Sequence, residues 1–290
     1  MFRSFWHVSV ASFLVGLMCI SAFAGASTTY TAQRTLGGIT IDGQFNESSW
    51  QYAQATPNFA QYDGSTAPQA TTLKIMWDSS YLYLGYTVQD SDIYATINSR
   101  DKSTYFQDVV EFFAMTEPTD GKGYVEYEFT PRAQIWDGLF KDVFQEVPPY
   151  SSAPAWNSPS LQVASQILGT ANNTSDSDTG WTVEAAIPWA DIYQTNGVPN
   201  GGSPVDGTSI RMNFYRIDWQ TPASPVEGGD AQGLAGTDKY LNWSQVDYIG
   251  FHQPPKFGTV VFDTAAVPEP ATMCLLAMGG LLTLARRRRR

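Results

Sequence analysis

Cysteine and histidine are scarce in this chain of 290 residues. Its two cysteines, Cys19 and Cys274, lie in apolar stretches near the two ends, so the body between them cannot contain a disulfide framework. Apart from His7 near the start, the one histidine is His252. This excludes a histidine-rich zinc site in the body and makes any Ser-His-Asp mechanism depend on a single residue.

Basic residues are few and unevenly placed. The chain has 17 Lys and Arg against 28 Asp and Glu, and its formal net charge is -11. Six of the basic residues, Arg3 and the arginines at 286–290, lie at the extreme ends, so the body is more acidic still. Such a surface repels phosphate backbones, and we expect no nucleic-acid partner.

The first 24 residues are typical of a secretory signal peptide. Arg3 gives the charged start, residues 8–20 form a short apolar run, and Ala22-Phe23-Ala24 provides the small residues of a cleavage site. An N-terminal membrane anchor is the alternative, but the apolar run is short for a membrane span. We therefore expect the protein to be exported.

The last 24 residues, 267–290, combine Val267-Pro268-Glu269-Pro270, an apolar stretch and five arginines. This order resembles the PEP-CTERM sorting signal, which implies recognition of Pro268, Glu269 and Pro270 by an exosortase-type transpeptidase in bacteria that make exopolysaccharide. As a helix, residues 271–285 would extend roughly 22 Å, which is just enough for a C-terminal transmembrane helix. We expect a transient membrane anchor, followed by release to the cell envelope or extracellular matrix; an ordinary anchor is the alternative.

The body alternates apolar and polar residues with the period of a β-strand. In residues 81–89, Leu82, Leu84, Tyr86 and Val88 would share one face. Helical periodicity is limited to short turns near 47–53 and 188–192. Further strands are predicted at 71–78, 108–115, 123–130, 161–168, 181–188, 209–217 and 257–263. The pattern favours an all-β fold, an antiparallel β-sandwich of the jelly-roll type.

Three motifs of the body occur in a recognisable order. They are ITIDGQFNESSW at 39–50, YFQDVVEFF at 105–113 and GWTVEAAIPWADI at 180–192. Together they resemble the family 9 carbohydrate-binding modules, a DOMON-like group, and the similarity sets the expected domain at 37–264. The resemblance implies a non-catalytic β-sandwich that binds the end of a polysaccharide such as glucan or xylan, with calcium as a structural ion. Modules of this kind commonly accompany polysaccharide-degrading enzymes.

A sugar-binding site needs an aromatic ring for the C–H face of the sugar and polar groups for its hydroxyl rim. The resemblance places the ring at Tyr105 and the rim at Glu111 and Arg132, although Glu111 and Arg132 could each form a structural ion pair instead. Trp243 is the expected second ring of a clamp with Tyr105, and Trp219 is its competitor. The predicted carbohydrate-binding residues are Tyr105, Glu111, Arg132, Asn213, Trp219 and Trp243.

Four aspartates that follow the predicted strand at 81–89 are candidates for the calcium site: Asp90, Asp92, Asp101 and Asp108. A hard cation needs several oxygen ligands around one loop, and carboxylates at alternate positions can supply them. The alternative is a solvated acidic edge.

Three functions remain open from the sequence. The first, which we predict, is a non-catalytic exported module that binds polysaccharide or oligosaccharide. The second is a glycoside hydrolase or lyase, because the predicted strands offer four carboxylates, Asp108, Glu111, Glu126 and Glu128. The third is a structural protein of an exopolysaccharide matrix.

Overall fold

Strands dominate the structure, so the expectation of a mostly β fold is confirmed. The computed structural model describes residues 28–35, 37–116, 121–140, 142, 152–153, 156–195, 198–199, 201–219, 240–246 and 251–266. Within these residues the strands are β1 (Thr29–Arg34), β2 (Ala60–Gln61), β3 (Thr71–Trp77), β4 (Tyr81–Gln89), β5 (Val109–Met115), β6 (Tyr124–Phe129), β7 (Ile135–Phe140), β8 (Ser152–Ala153), β9 (Gln162–Leu168), β10 (Gly180–Pro188), β11 (Gln194–Thr195), β12 (Val198–Pro199), β13 (Ser209–Ile217), β14 (Tyr240–Asn242) and β15 (Gly258–Ala266). The described helices are α1 (Ser48–Tyr52) and α2 (Trp189–Ile192), with 3₁₀ turns at Thr104–Phe106 and Pro254–Lys256.

One long sheet curls so that its two halves pack on each other. Its main path runs β8-β7-β6-β5-β13-β15-β1-β3-β4-β10-β9, and β14 and β2 continue from β13. We call β5, β6, β7 and β13 the first half, and β3, β4, β9 and β10 the second half. Tyr86 of β4 donates a hydrogen bond across the core to the backbone oxygen of Glu111 on β5, at 2.9 Å. The main hydrophobic core lies between the inner faces of the two halves.

The expectation of a purely antiparallel sheet is wrong at β1. This strand pairs in parallel with both neighbours, β15 and β3. Parallel neighbours need a long crossover, and the chain between β1 and β3 provides one that includes α1. β1 also lies before residue 37, the expected start of the domain, yet it is an integral strand of the sheet.

The crossover covers the outer face of the second half. Glu184 of β10 accepts hydrogen bonds from the backbone N–H groups of Asp42 and Gly43, at 3.0 and 3.1 Å, and from the indole of Trp50 at 2.8 Å. Trp50 is buried there with Met76, Tyr83 and other apolar side chains. These contacts explain the IDG…W motif. The crossover does not extend to the outer face of the first half, where Phe113, Tyr124 and Tyr215 pack with Phe251 and Phe257.

The two ends of β13 face different parts of the molecule. Ser209 at its start pairs with Val261, and β15 continues beyond that point to Ala266, whereas Tyr215 near its end pairs with Glu111. Ser209 and Tyr215 are about 20 Å apart along the strand, at ~3.3 Å per residue. The chain therefore leaves β15 at the end of the sheet remote from Glu111.

The predicted signal peptide and sorting segment fall in residues 1–27 and 267–290, which lie outside the described residues. Neither described helix has the length or hydropathy for a membrane span. The transmembrane helix stays a prediction.

Candidate functional site

Alternation along the strands of the first half separates core side chains from outer-face side chains. On β5, Val110 and Phe112 belong to the main core, so Glu111 points to the outer face. On β6, Tyr127 belongs to the core, so Glu126 and Glu128 point outward. Three carboxylates therefore share one face of two neighbouring strands.

Strand register aligns five outer-face side chains in one row across the sheet, which we call the central row. Glu111 pairs with Tyr215 on one side and with Glu128 on the other, and Glu128 pairs in turn with Trp136. Tyr215 pairs with Asn242 of β14, whose neighbours in sequence belong to the main core, so Asn242 also points outward.

The next row holds the third carboxylate. Phe113 pairs with Asn213 and Glu126, and Glu126 pairs with Gly138. His252 lies above this row, with its Nδ1 atom 3.5 Å from Oε2 of Glu126 and 2.9 Å from the hydroxyl of Tyr124. The two rows thus form a polar floor bordered by aromatic rings.

The three carboxylates are buried: Glu111, Glu126 and Glu128 are only 4%, 4% and 3% exposed. Glu128 accepts a hydrogen bond from the hydroxyl of Thr104. Oε2 of Glu126 is buried and has no hydrogen-bond partner in the described part of the chain. Burial without full pairing is costly for a carboxylate, so protonation of these groups is strongly favoured.

Burial raises the pKa of all three carboxyl groups. It raises the pKa of Glu128 to about 7, although hydrogen bonds from Thr104 and the backbone of Tyr105 act in the opposite direction. For Glu111 and Glu126, desolvation raises the pKa well above the ordinary value, and neighbouring carboxylates add to the rise. Near neutral pH the carboxyl groups of the polar floor therefore tend to keep their protons.

Trp136 supplies a half-buried ring at the edge of the floor. A Cβ atom at Gly138, two residues along β7 on the same face, would lie 2.6 Å from Cη2 of this indole. The ring of Trp136 therefore extends over Gly138, beside Glu126 and Glu128. Phe140 supports it, with ring centroids 6.3 Å apart.

Tyr105 and Glu111 are both neighbours of Glu128. Tyr105 is in the 3₁₀ turn above the central row and is 37% exposed, and its backbone bonds to Glu128. Glu111 is in the central row. Their contact with sugar stays a prediction, but the fold places both at the same site.

Trp243 does not form a clamp with Tyr105, because its ring packs in the main core. It is 9% exposed, and its centroid lies 5.3 Å from that of Phe214 on the inner face. Trp219 is 3% exposed, and its indole donates to the backbone oxygen of Tyr105 at 2.9 Å. The first Trp fills the core and the second supports the turn of Tyr105, so neither offers a ring face to a ligand.

Asn213 and Arg132 also differ from the expected rim. Asn213 is fully buried, and its amide bonds to the hydroxyl of Tyr215 and to both backbone groups of Ser244. Arg132 is exposed in the turn between β6 and β7. Asn213 therefore has a structural role, because it holds the backbone at Ser244 against β13. Arg132 is accessible but lies outside the two rows.

The sequence analysis does not identify Trp136, His252 or Asn242 as site residues. A usable signal for Trp136 was the pattern Trp-x-Gly on β7, since a glycine two residues away on the same face leaves room for a flat ring. For Asn242 no local signal exists, because its position depends on the pairing of β14 with β13.

Two of the predicted calcium ligands come together inside the protein. Oxygen atoms of Asp90, Asp108 and Asp218 all lie within 4.8 Å of one another. Asp92 and Asp101 are not part of this group. Burial raises the pKa of Asp108 well above its usual value, and the neighbouring Asp90 adds to the rise.

This group does not fit a calcium ion, because a fixed cation already lies within it. The guanidinium of Arg216 is 3.2 Å from Oδ2 of Asp90 and 3.1 Å from Oδ1 of Asp218. Both oxygens of Asp108 accept backbone hydrogen bonds, from Tyr94 and Trp219. Calcium needs six or more oxygen ligands, which these groups do not leave free.

Comparison with known proteins decides the family. The model of the carbohydrate family 9 binding domain-like family matches residues 41–265, and that of the PEP-CTERM protein-sorting motif matches residues 266–290. The chain belongs to the carbohydrate family 9 binding domain-like family. The family is one of binding domains, so this family 9 module is not an enzyme in its own right.

Curated relatives include exoglucanase XynX of Acetivibrio thermocellus and endo-1,4-beta-xylanase A of Thermoanaerobacterium saccharolyticum. Each is 29% identical over 161 residues, which is 56% of this chain but 12% of the relative. The family 9 module thus matches only a small part of these enzymes, and their activities do not extend to it.

Solved structures support the fold. A protein of Bacteroides uniformis matches with a TM-score of 0.57 and 18% identity, over 82% of this chain and 100% of the other. A family 9 carbohydrate-binding module of Caldicellulosiruptor kristjanssonii matches with a TM-score of 0.50 and 16% identity, over 83% of this chain. The match covers 99% of the module solved with cellotriose and 100% of the module solved with glucose.

Proposed function

We propose that this family 9 module is an exported, non-catalytic protein that binds polysaccharide or its chain ends on the outer face of the first half. The observation that carries the proposal is the central row, where the half-buried Trp136 pairs with Glu128, and Glu128 pairs in turn with Glu111. A pyranose has an apolar C–H face for such a ring and hydroxyl groups for such carboxyls. The other outer face is covered by the crossover.

The relatives favour a β-linked glucan or similar polymer as the ligand. Structures of the Caldicellulosiruptor module contain cellotriose and glucose, and the curated relatives act on glucan and xylan by name. Binding by aromatic contact with few polar anchors suits a polymer, because the repeated sugar presents the same face many times.

We further infer that the tail directs the module to the cell envelope. The match to the PEP-CTERM motif supports recognition of Pro268, Glu269 and Pro270 by an exosortase-type enzyme, after a transient anchor in the membrane. Replacement of Glu269 by Ala should leave uncut protein in the membrane fraction. Unchanged processing in cell fractions, followed by immunoblot, would contradict this.

A glycan array on the purified full chain tests the binding proposal, with Trp136→Ala as the site variant. We expect loss of about tenfold or more in affinity, because one stacking ring is removed. Tyr52→Ala is the matched control, since Tyr52 is an aromatic residue 39% exposed on α1, over the opposite outer face.

Three outcomes separate the alternatives. Loss of binding in Trp136→Ala but not in Tyr52→Ala supports the proposed site. Equal binding by both variants and the parent chain would show that the glycan binds at a site without Trp136. No binding to any glycan favours the structural matrix protein.

A further inference from the structure

The outer-face site groups three buried carboxyl groups without a neighbouring lysine or arginine among the described residues. Among the described residues, none of the ion pairs made by Lys or Arg involves Glu111, Glu126 or Glu128. His252 is the nearest basic group, and burial lowers its pKa to about 4, so it is neutral at pH 7. The three carboxyl groups therefore lack a cationic partner within the described part of the chain.

The sequence outside the described residues does not favour a hidden counter-charge. Its internal segments contain two lysines, Lys141 and Lys239, against seven Asp and Glu. The body as a whole is acidic. A positive group at this site is therefore more readily supplied by a ligand than by the chain.

Unpartnered polar atoms at the same face point to a ligand that forms hydrogen bonds, with donors for two of the three atoms and an acceptor for the third. Oε2 of Glu126 and both side-chain polar atoms of Asn242 are buried, and none has a hydrogen-bond partner among the described residues. Asn242 is 1% exposed and lies in the central row with Glu111. Carboxylate oxygens accept only, so they need donors, and an ammonium group is a donor with three N–H bonds.

We propose that this site takes an amino sugar, with a protonated primary amine placed against the three glutamates and the sugar ring on Trp136. This inference rests on the proposed function and names its ligand class, a polysaccharide that contains unacetylated 2-amino sugars. The amine would form charge-assisted hydrogen bonds to the carboxylates, which neutral hydroxyl groups cannot match. Acetylation would remove the charge and these bonds.

The proposal makes binding depend on pH in a defined direction. The titratable groups that face the site are Glu111, Glu126, Glu128, Tyr124, Tyr215 and His252. The carboxyl groups must lose protons to pair with an ammonium, and burial raises the pKa of Glu128 to about 7. Affinity for the amino sugar should therefore rise between pH 5 and pH 7, until the sugar amine itself loses its proton.

Calorimetry on the purified full chain tests the proposal with three β-1,4-linked tetramers, of glucosamine, N-acetylglucosamine and glucose. At pH 7 the glucosamine tetramer should bind about tenfold more tightly than the other two, because only it carries a charge. The difference should shrink at pH 5. Glucosamine binding should also release protons, which is measured by repeating the titration in buffers of different ionisation enthalpy.

The variant Glu126→Gln tests whether the preference for the glucosamine tetramer arises at this site. Asp206→Asn is the control. The glutamine side chain keeps the shape of the glutamate and removes one charge, so the preference should fall by about tenfold. Asp206 is an exposed carboxylate near the remote end of β13, and its replacement should leave the preference unchanged. The proton release of the parent chain gives a readout that does not depend on the folding of either variant.

The outcomes distinguish failure of the amino-sugar inference from failure of the proposed sugar-binding function. Binding of the glucose tetramer without preference for glucosamine overturns the amino-sugar inference and leaves the proposed function intact. Failure of all three tetramers and of the glycan array overturns both. Equal loss in Glu126→Gln and Asp206→Asn indicates general attraction to an acidic protein and overturns the site.

Discussion

At the scale of single residues, the indole of Trp136 owes its position to a missing side chain. A Cβ atom at Gly138 would lie 2.6 Å from this ring and 3.1 Å from the ring of Phe140. Distances below about 3.4 Å are closer than ordinary carbon contacts, so the rings would have to move. The ring of Trp136 therefore depends on the glycine beneath it.

Gly138→Ala should therefore weaken glycan binding about tenfold, by displacing Trp136. The change should be measured by calorimetry with the best glycan from the array. Thermal unfolding of the same variant is the control. Unchanged affinity would mean that the ring does not contact the ligand.

The buried glutamates should make stability fall as pH rises. Burial raises the pKa of Glu128 from 4.5 to about 7, and raises that of Glu111 and Glu126 also. The folded state therefore holds protons that the unfolded state has lost, which costs roughly 1.4 kcal/mol per pH unit for each such group. The lowered pKa of His252 acts in the opposite direction between about 4 and 6.5, but it is one group against three.

We expect the free energy of unfolding to be lower at pH 8 than at pH 5, measured by urea titration at both values. Glu128→Gln should reduce this difference, because its neutral amide has no proton to lose. A difference that is absent in the parent chain would mean that the three groups are ionised in the fold.

Residue roles were only partly predictable from sequence. Regular strand or turn patterns predict a core position for four tryptophans, and all four are buried in the structure: Trp50, Trp77, Trp181 and Trp189. Trp243 lies between the polar residues Asn242 and Ser244, a sequence context that is also typical of an exposed ring. Its burial follows from the contact of β14 with β13, which no local pattern encodes.

At the scale of elements, the turn of the IDG motif is fixed by glycine. Gly43 has a φ of 81°, and a Cβ atom there would lie 2.9 Å from the backbone carbon of Ser165. Its N–H group also bonds to Glu184. This turn fastens the crossover over the second half.

Gly43→Ala should lower the free energy of unfolding by about 2–3 kcal/mol, because it adds backbone strain and a steric overlap. Gly38→Ala is the matched control, since a Cβ atom there meets nothing within 4 Å. Urea unfolding of both variants checks the difference. Equal stability of the two would show that the turn relaxes freely.

The strands with strong alternation were predictable, and those without it were not. All eight predicted segments form strands, because β-branched and aromatic residues alternate through them. β7 is not predicted, since Asp137 and Gly138 interrupt its apolar pattern. β1 is not predicted either, because it is short and polar.

At the scale of the whole molecule, Arg216 joins the two halves of the sheet. It lies on β13, is fully buried, and bonds to Asp90, to the backbone oxygen of Gln89 at 2.8 Å and to the hydroxyl of Thr71 at 3.2 Å. These three partners belong to the region of β3 and β4. A charge in this position is retained only while its partners compensate it.

Arg216→Met should lower the free energy of unfolding by about 3–5 kcal/mol, because two carboxylates lose their buried cation. Arg132→Met removes an exposed arginine and should change stability by less than about 0.5 kcal/mol. Urea titration measures both. Similar values for the two variants would contradict a linking role for Arg216.

The order of the strands was beyond prediction from sequence. Periodicity identifies a strand and its buried face but not its neighbours, so the parallel placement of β1 and the branch to β14 depend on long-range contacts. The strand pattern favoured a sandwich of antiparallel sheets, and the family resemblance implied the same, but neither gave the strand order.

The position at which the chain leaves β15 determines how the module would be oriented when its C-terminal segment is held at the envelope. The last described residue, Ala266, lies at the end of the sheet remote from Glu111. A protein held at the envelope by residues that follow would turn the proposed binding rows away from the lipid and toward polymer chains outside the cell.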